Sequence, residues 1–323
     1  MTRKLLEPKA TYVVEYPEAI EMVETQMGIF WPPDEIKVEK DVHDILTNLT
    51  EAEKHGVITT LKLFTQYELI VGDEYWNRVA SIFQKPADIA RMANCFSFFE
   101  LNIHAPFYSK INEALGLATE EFYSDYVNDP VLSQRINMLE SYAASKDVPT
   151  FLMALAMIEG VVLYSNFAFL KHFQSQGKNK ITNIVRGINF SARDEGLHSL
   201  ASSWLFKTLM EEYQSSSINH DAYLPILQSL VANVREHEFQ IVDMIFSKGE
   251  IEGITATQMK NFIDSRINLV CNNLGYSAQA PRHTHNPIAD YFYDGVNNYV
   301  FNDFFSGIGR EYSRDWDEAQ LEW

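Results

Sequence analysis

FLMALAMIEGVVLYSNFAFL, residues 151–170, is an apolar run long enough to cross a bilayer. Its reading decides the fold. In a membrane helix, Glu159 would lie near the bilayer centre, where an ionised carboxylate is costly. In a buried core helix the same carboxylate needs a partner, because an unpaired charge in a core costs several kcal/mol, on the order of a whole domain's spare stability. At helical spacing Glu159 shares a face with Leu152, Leu155, Val162, Leu163 and Phe167. The core reading is favoured, and the question becomes what Glu159 meets.

Three other stretches supply candidates. In ARDEGLH (192–198), Glu195 and His198 stand at i and i+3, aimed at one point. In ELNIHAPFY (100–108), Glu100, His104 and Tyr108 stand at i, i+4 and i+8, on a face shared with Ala93, Phe96 and Phe107. Upstream, Glu68 interrupts the stripe Val57, Leu61, Phe64, Val71 and Tyr75, whereas Asp73 falls on a mixed face with Gln66 and Trp76 and reads as a surface residue.

Four long helices therefore each carry an inward carboxylate, and two add a histidine about one turn later. Burying that set uncompensated would be prohibitive, and two divalent or trivalent cations supply the compensation. This is the ligand set of di-iron and di-manganese carboxylate bundles. Carboxylates suit hard metals and can bridge them, and imidazole suits iron and manganese. Each fragment alone is ordinary: Glu-x-x-His is usually a surface pair, and a lone core histidine is usually just satisfied. The order Glu, Glu/His, Glu, Glu/His on four helices is the specific signal. Tyr108, one turn beyond His104, reads by default as a core tyrosine with a satisfied hydroxyl. Against that, Leu163 and Phe167 project from the neighbouring helix, and an apolar pocket would protect an oxidised tyrosine.

The rest of the chain is consistent with an all-α protein. It has 323 residues, 46% hydrophobic, enough for one large core. A net charge of −18 makes nucleic acid and anionic membranes poor partners. Only Cys95 and Cys271 are present, so a reducing, cytoplasmic setting is expected. The N-terminus shows no apolar signal region, and no GxxxxGK[ST] or GxGxxG run is found. Residues 1–40 are expected to be irregular, with WPPDE (31–35) as a turn. Helices are expected from the capping box at Thr50 and Glu53 to about Gly72, from Pro86 to about Leu115, and near 119–126 and 130–145. Further helices follow at about 149–174, 180–213, 221–247 and 255–274. Residues 41–276 then form one helical domain, and residues 277–323 a C-terminal segment with a flexible tail.

With these residues in view, the sequence resembles the small, or β, subunit of class I ribonucleotide reductase, over roughly residues 25–315. The most specific matches are GIFWPPDEI (28–36), FTQYE (64–68), ELNIHAPFY (100–108), MIEGVVLY (157–164), ARDEGLH (192–198) and NDFFSGIGREYS (302–313). The resemblance implies a ferritin-like bundle with extra helices. It implies Glu68, Glu100 and His104 as ligands of one metal and Glu159, Glu195 and His198 as ligands of the other, with bridging carboxylates. The metals would be di-iron, manganese–iron or dimanganese. It further implies Tyr108 as the radical, and Trp31, Asp194 and Tyr312 as radical-transfer residues. It implies oxygen and a reductant as reactants, a homodimer, and a separate large subunit where ribonucleotides are reduced to deoxyribonucleotides. One feature departs from the family pattern: Glu100 precedes His104 by four residues rather than three, and the usual position holds Leu101. A changed register or a π-bulge would restore Glu100 as a ligand.

The rival functions are a dimetal oxidase or oxygenase acting on a small substrate, a ferritin-type storage protein, and a metal-free structural bundle. Weaker signals take plainer readings. His283 and His285 are loop residues, Glu236-His237-Glu238 a solvated helix face, and Trp76 and Trp204 packing residues. The end, Asp315 to Trp323, is expected to dock on the large subunit through Leu321 and Trp323.

Overall fold

The computed structural model describes residues 5–6, 13–83, 87–213 and 220–294. Pro86, Tyr312 and the docking end from Asp315 lie outside these residues. Among the described residues there is no strand beyond one isolated bridge, Ile251 to Ile254.

The helices, in chain order, are α1 (Pro17–Gly28), α2 (Glu51–Ile70), α3 (Asn77–Ile82), α4 (Ala87–Phe99), α5 (Ala105–Ala114), α6 (Glu120–Asn128) and α7 (Pro130–Ala143). They continue with α8 (Val148–Met157), α9 (Tyr164–Lys171), α10 (Thr182–Tyr213), α11 (Leu224–Ile245), α12 (Ala256–Asn273) and α13 (Pro287–Asp294). Helix α2 opens on the expected capping box: Thr50 Oγ1 accepts from the Glu53 amide at 3.2 Å, and Glu53 Oε2 accepts from the Thr50 amide at 2.8 Å. A second capping box, Thr255 with Gln258, opens α12. Asp129 and Asp147 cap α7 and α8, each with proline inside the first turn.

One expectation fails, at the N-terminal end. Residues 1–40 are not wholly irregular, since α1 occupies Pro17–Gly28. Its buried line is only Ala19, Met22 and Gln26, too short and too polar to stand out as an apolar stripe. Beyond Ser277 the chain forms α13, in which Phe292 is fully buried and packs on Phe262.

The bundle is organised around the apolar run. Residues 151–173 are all buried, and 89% of the most apolar window of Val148–Gly177 lies inside the protein. That is the behaviour of a core helix. It packs chiefly against α10, while α2 lies against α5 and α1 against α4.

Three of the long helices are interrupted where the inward carboxylates sit, or just beyond them. π-Turns occupy Val71–Trp76 between α2 and α3, Glu100–His104 between α4 and α5, and Ile158–Val162 between α8 and α9. A π-turn adds one residue to a helical turn and re-aims the side chains after it. The turn at Ile158–Val162 is pressed against two neighbours: a Cβ on Gly160 would lie 2.4 Å from both Ser199 Oγ and Val270 Cγ2. Gly160→Ala is therefore expected to destabilise the protein by about 1–3 kcal/mol through overpacking. A urea midpoint equal to that of the wild type would contradict this close approach.

Candidate metal centre

The four helices deliver their ligands to one place. Glu68, Glu100, His104 and Glu195 present one ligand atom each, all within 4.8 Å of one another, and Glu100, Glu159, Glu195 and His198 do the same. Glu100 and Glu195 belong to both groups, as bridging carboxylates would. All six side chains are at most 1% exposed.

The four-residue spacing of Glu100 and His104 is resolved by the π-turn that spans them. The extra residue is accommodated inside the helix, and both side chains reach the centre, with Glu100 Oε2 at 3.0 Å from His104 Nδ1. Leu101 takes no part in either group.

The hydrogen bonds around the histidines orient both rings. His104 Nε2 is 3.1 Å from Asp194 Oδ2 and His198 Nε2 is 3.1 Å from Gln26 Oε1, so each Nε2–H has an acceptor. Each Nδ1 is then left facing the carboxylates. His104 Nδ1 lies 3.2 Å from Glu195 and 3.9 Å from Glu68, and His198 Nδ1 lies 2.6 Å from Glu100. An acceptor on one ring nitrogen fixes the tautomer that leaves the other free to bind a metal.

The protein alone does not satisfy these groups. Both oxygens of Glu68 and of Glu195, one oxygen each of Glu100 and Glu159, and Nδ1 of His198 are buried without a hydrogen bond of good geometry. Such clustering of orphaned acceptors is expensive, and cations at the two shared points would satisfy them together. The donor set fits two hard, divalent metal ions.

The electrostatics follow from the crowding. Burial, then the neighbouring carboxylates, push Glu68 and Glu159 well above the usual carboxylate range. Burial also opposes the charge on Glu100, but the two imidazoles overcome it and hold Glu100 below that range. Burial works against charge on the histidines as well. Even so, Glu100 foremost raises both, His198 from 6.5 to about 9. Without metal, protons therefore stand in for cations.

Groups with raised values stabilise the folded state fully below their unfolded values. That contribution is lost as pH rises through the folded ones. The opposite contribution of Glu100 lies below its ordinary value of 4.5. Metal-free protein is thus expected to lose a few degrees of Tm between pH 6.5 and 9, while metal binding, which expels the protons, strengthens over the same range. Thermal melts with and without metal at both pH values check this, and a metal-free Tm rising with pH would contradict it.

Tyr108 is fully buried and stacks on Phe64, with ring centroids 4.2 Å apart at 9°. Phe64 stacks in turn on Phe167 at 5.4 Å, and Leu163 is buried as well. The expected apolar pocket is present. No side chain meets the Tyr108 hydroxyl at good hydrogen-bond geometry, though the Ser191 hydroxyl lies close to it. Burial and then Glu68 raise its pKa well above the ordinary phenol value, while His104 and the Ser191 hydroxyl pull it down.

On the other side of His104, Trp31 Nε1 donates to Asp194 Oδ2 at 2.8 Å, the oxygen that also meets His104 Nε2. The Trp31 ring stacks on His104, centroids 5.9 Å apart. Burial disfavours the Asp194 charge, yet Arg193, His104 and Trp31 keep its pKa below the ordinary value.

Sequence reasoning missed several residues at the site. Trp76 donates from Nε1 to Glu159 Oε1 at 2.5 Å, so it is more than a packing residue. The π-turn at Val71–Trp76 turns its ring inward, and no helical wheel shows that. Gln26 reaches His198 from α1, a helix not expected. Glu236 is exposed as read, but His237 and Glu238 are buried, and Glu238 pairs with Arg135 at 3.0 Å. The charge is internal because α7 supplies a buried guanidinium. His283 meets Asp264 at 2.9 Å.

The bundle and its six converging carboxylates and imidazoles define the class: helical-bundle proteins whose core holds a buried Glu/His cluster that could bind two metal ions. Within that class, the chain belongs to the ribonucleotide reductase small-chain family, whose model matches residues 9–287. A ribonucleoside-diphosphate reductase subunit beta from Halalkalibacterium halodurans is 25% identical over 311 residues, covering 93% of this chain and 87% of that protein. The fold also resembles two solved structures. One is the dimanganese(II)-NrdF of Streptococcus sanguinis, with a TM-score of 0.75, 19% identity, and coverage of 90% and 100% of the two chains. The other is the ribonucleotide reductase R2 subunit of Clostridium botulinum, with a TM-score of 0.74, 22% identity, and coverage of 86% and 88%.

Proposed function

We propose that this chain is the radical-generating small subunit of a class I ribonucleotide reductase, with Tyr108 as the residue oxidised. Glu68, Glu100, His104 and Glu195 would hold one metal, and Glu100, Glu159, Glu195 and His198 the other. Iron is the metal proposed. The same donors suit manganese, and the S. sanguinis neighbour is described as a dimanganese protein. When bound, the metal pair supplies from oxygen, with a reductant, the oxidising equivalent that Tyr108 meets.

The chain's own residues do the rest. Tyr108 gives up an electron and its phenolic proton. Glu68, the carboxylate acting most strongly on that phenol, carries two buried oxygens without hydrogen bonds and would take the proton. Phe64 and Phe167 exclude water from the oxidised ring. Asp194 couples His104 to Trp31 through one shared oxygen, a continuous path from the centre toward the N-terminal segment. Beyond Trp31 the proposed route passes through Tyr312 to a large subunit that reduces ribonucleotides. Residues 277–323 would dock there, on a homodimer of the bundle domain 41–276. Both cysteines are free, in keeping with the reducing cytoplasm.

The observation that carries this reading is the pairing of an apolar-caged Tyr108 with a six-residue carboxylate and imidazole cluster that is tied to Trp31. An oxidase acting on a small substrate needs the cluster but neither of the other two. The test is electron paramagnetic resonance with metal quantitation, after the metal-free chain is loaded with ferrous iron, or iron plus manganese, and exposed to oxygen. About two metals per chain and a tyrosyl or mixed-metal signal are expected. Two metals without a persistent oxidised state would favour the oxidase, and no bound metal would refute the site.

A further inference from the structure

The π-turn that carries Glu159 is gripped from outside. Tyr67 Oη, on α2, donates to the Ile158 carbonyl at 2.7 Å. Arg266 Nε, on α12, donates to the Gly160 carbonyl at 3.0 Å. Arg135 Nη2, on α7, donates to the Val162 carbonyl at 2.5 Å. One turn earlier, Ser199 on α10 donates to the Ala156 carbonyl at 2.9 Å. Alternate carbonyls of a single turn are thus each taken by a side chain from a different helix. Meanwhile Glu159 Oε1 accepts from the Trp76 indole and lies 3.8 Å from His198 Nδ1, and Oε2 has no hydrogen bond of good geometry.

Two of the donors are guanidinium groups in the core, Arg135 fully buried and Arg266 5% exposed. Each is supported in turn. Arg135 pairs with Glu238, whose second oxygen accepts from Ser165 at 2.9 Å. Arg266 lies over the Tyr164 ring, 3.6 Å from its centroid, and donates to Tyr293 at 3.1 Å. Buried ion pairs are poor sources of stability, because apolar residues of like volume usually do as well or better. What a fork of fixed N–H groups does supply is position. Here the grip falls on the turn where the helix carrying Glu159 departs from regular geometry, and a single-residue slip of that turn would withdraw Glu159 from the centre.

We infer that Trp76, Tyr67, Arg135 and Arg266 are positioning residues that lock the Glu159 carboxylate toward the centre, the indole through Oε1 and the other three through the turn that carries it. The inference rests on the dinuclear reading of the site. Glu159 lies only in the group that contains His198, and Glu68 and His104 lie only in the other. Loosening the lock should therefore disturb one metal position and spare the other.

The test loads full-length protein anaerobically with iron-57 as ferrous ion and compares wild type with Trp76→Phe. Metal titrations and Mössbauer spectra are the readouts. One of the two ferrous sites should shift its quadrupole splitting and lose affinity by about 10–100-fold, the usual effect of removing a residue that orients a ligand. The other site should be unchanged. Should Trp76→Phe fail to fold, Arg266→Lys removes the Nε–H on Gly160 while keeping a cation against Tyr164, and it reads the same quantities. Superimposable spectra and equal affinities, with only Tm lowered, would reduce these residues to packing and overturn the inference. Wild-type protein that binds no iron would overturn the dinuclear reading itself, and the lock with it.

Discussion

Tyr108→Phe is expected to abolish turnover with the large subunit, by about a thousand-fold or more as for any residue the reaction runs through, while two metals per chain remain. The substitution removes one oxygen from a ring that packs between Phe107, at 5.0 Å, and Phe64, at 4.2 Å. None of the six ligands moves. The stability change separates this prediction from an ordinary core effect. Removing a satisfied buried hydroxyl costs about 1 kcal/mol, whereas removing an orphaned one relieves a desolvation penalty of about 1–3 kcal/mol. The Tyr108 hydroxyl meets no partner at good hydrogen-bond geometry, only the nearby Ser191 hydroxyl, so the variant should be about as stable as the wild type. Lost radical signal, retained metal and unchanged Tm form the expected triple. Full activity would place the radical elsewhere, and a large drop in Tm would make Tyr108 a structural residue.

Much of this centre was legible in the sequence because its logic is periodic. Glu68, Glu100 and Glu159 each break an apolar stripe, and the i, i+4 and i, i+3 partners of Glu100 and Glu195 are visible without coordinates. What the periodicity could not carry was every consequence of the π-turns. The four-residue gap between Glu100 and His104 hinted at one of them, since a strained ligand spacing demands some local adjustment. Nothing comparable marks Ile158–Val162, where a run of apolar residues reads the same in either register, or Val71–Trp76, which turns Trp76 onto Glu159. Pairing across helices was equally silent. Arg135 and Glu238 are 103 residues apart, and each alone looks like a surface charge. Gln26 was hidden for a related reason: a polar residue in a short N-terminal stretch carries no sign that it orients His198.

Glu195→Gln is the sharpest separation between a metal centre and a structural bundle. Glu195 is one of two carboxylates common to both ligand groups, and both its oxygens are buried without hydrogen bonds. An amide of the same size fills the same space but bridges metals poorly, so both positions should weaken together. Bound metal should fall from about two per chain to well below one at concentrations that saturate the wild type. The stability readout follows by mass action. Metal at a hundred times its dissociation constant adds about 2.7 kcal/mol per site to the folded state, so wild-type Tm should climb on loading and the variant's should not. In the metal-free state the order reverses. Glu195 crowds Glu68, Glu100 and Glu159, and replacing one of four buried acids by an amide removes crowding that cations, or protons in their absence, otherwise relieve. A variant less stable than wild type without metal, and equally responsive to metal, would mean that Glu195 serves the fold. A variant at least as stable without metal and deaf to it would mean that the fold tolerates Glu195 for the sake of the ions.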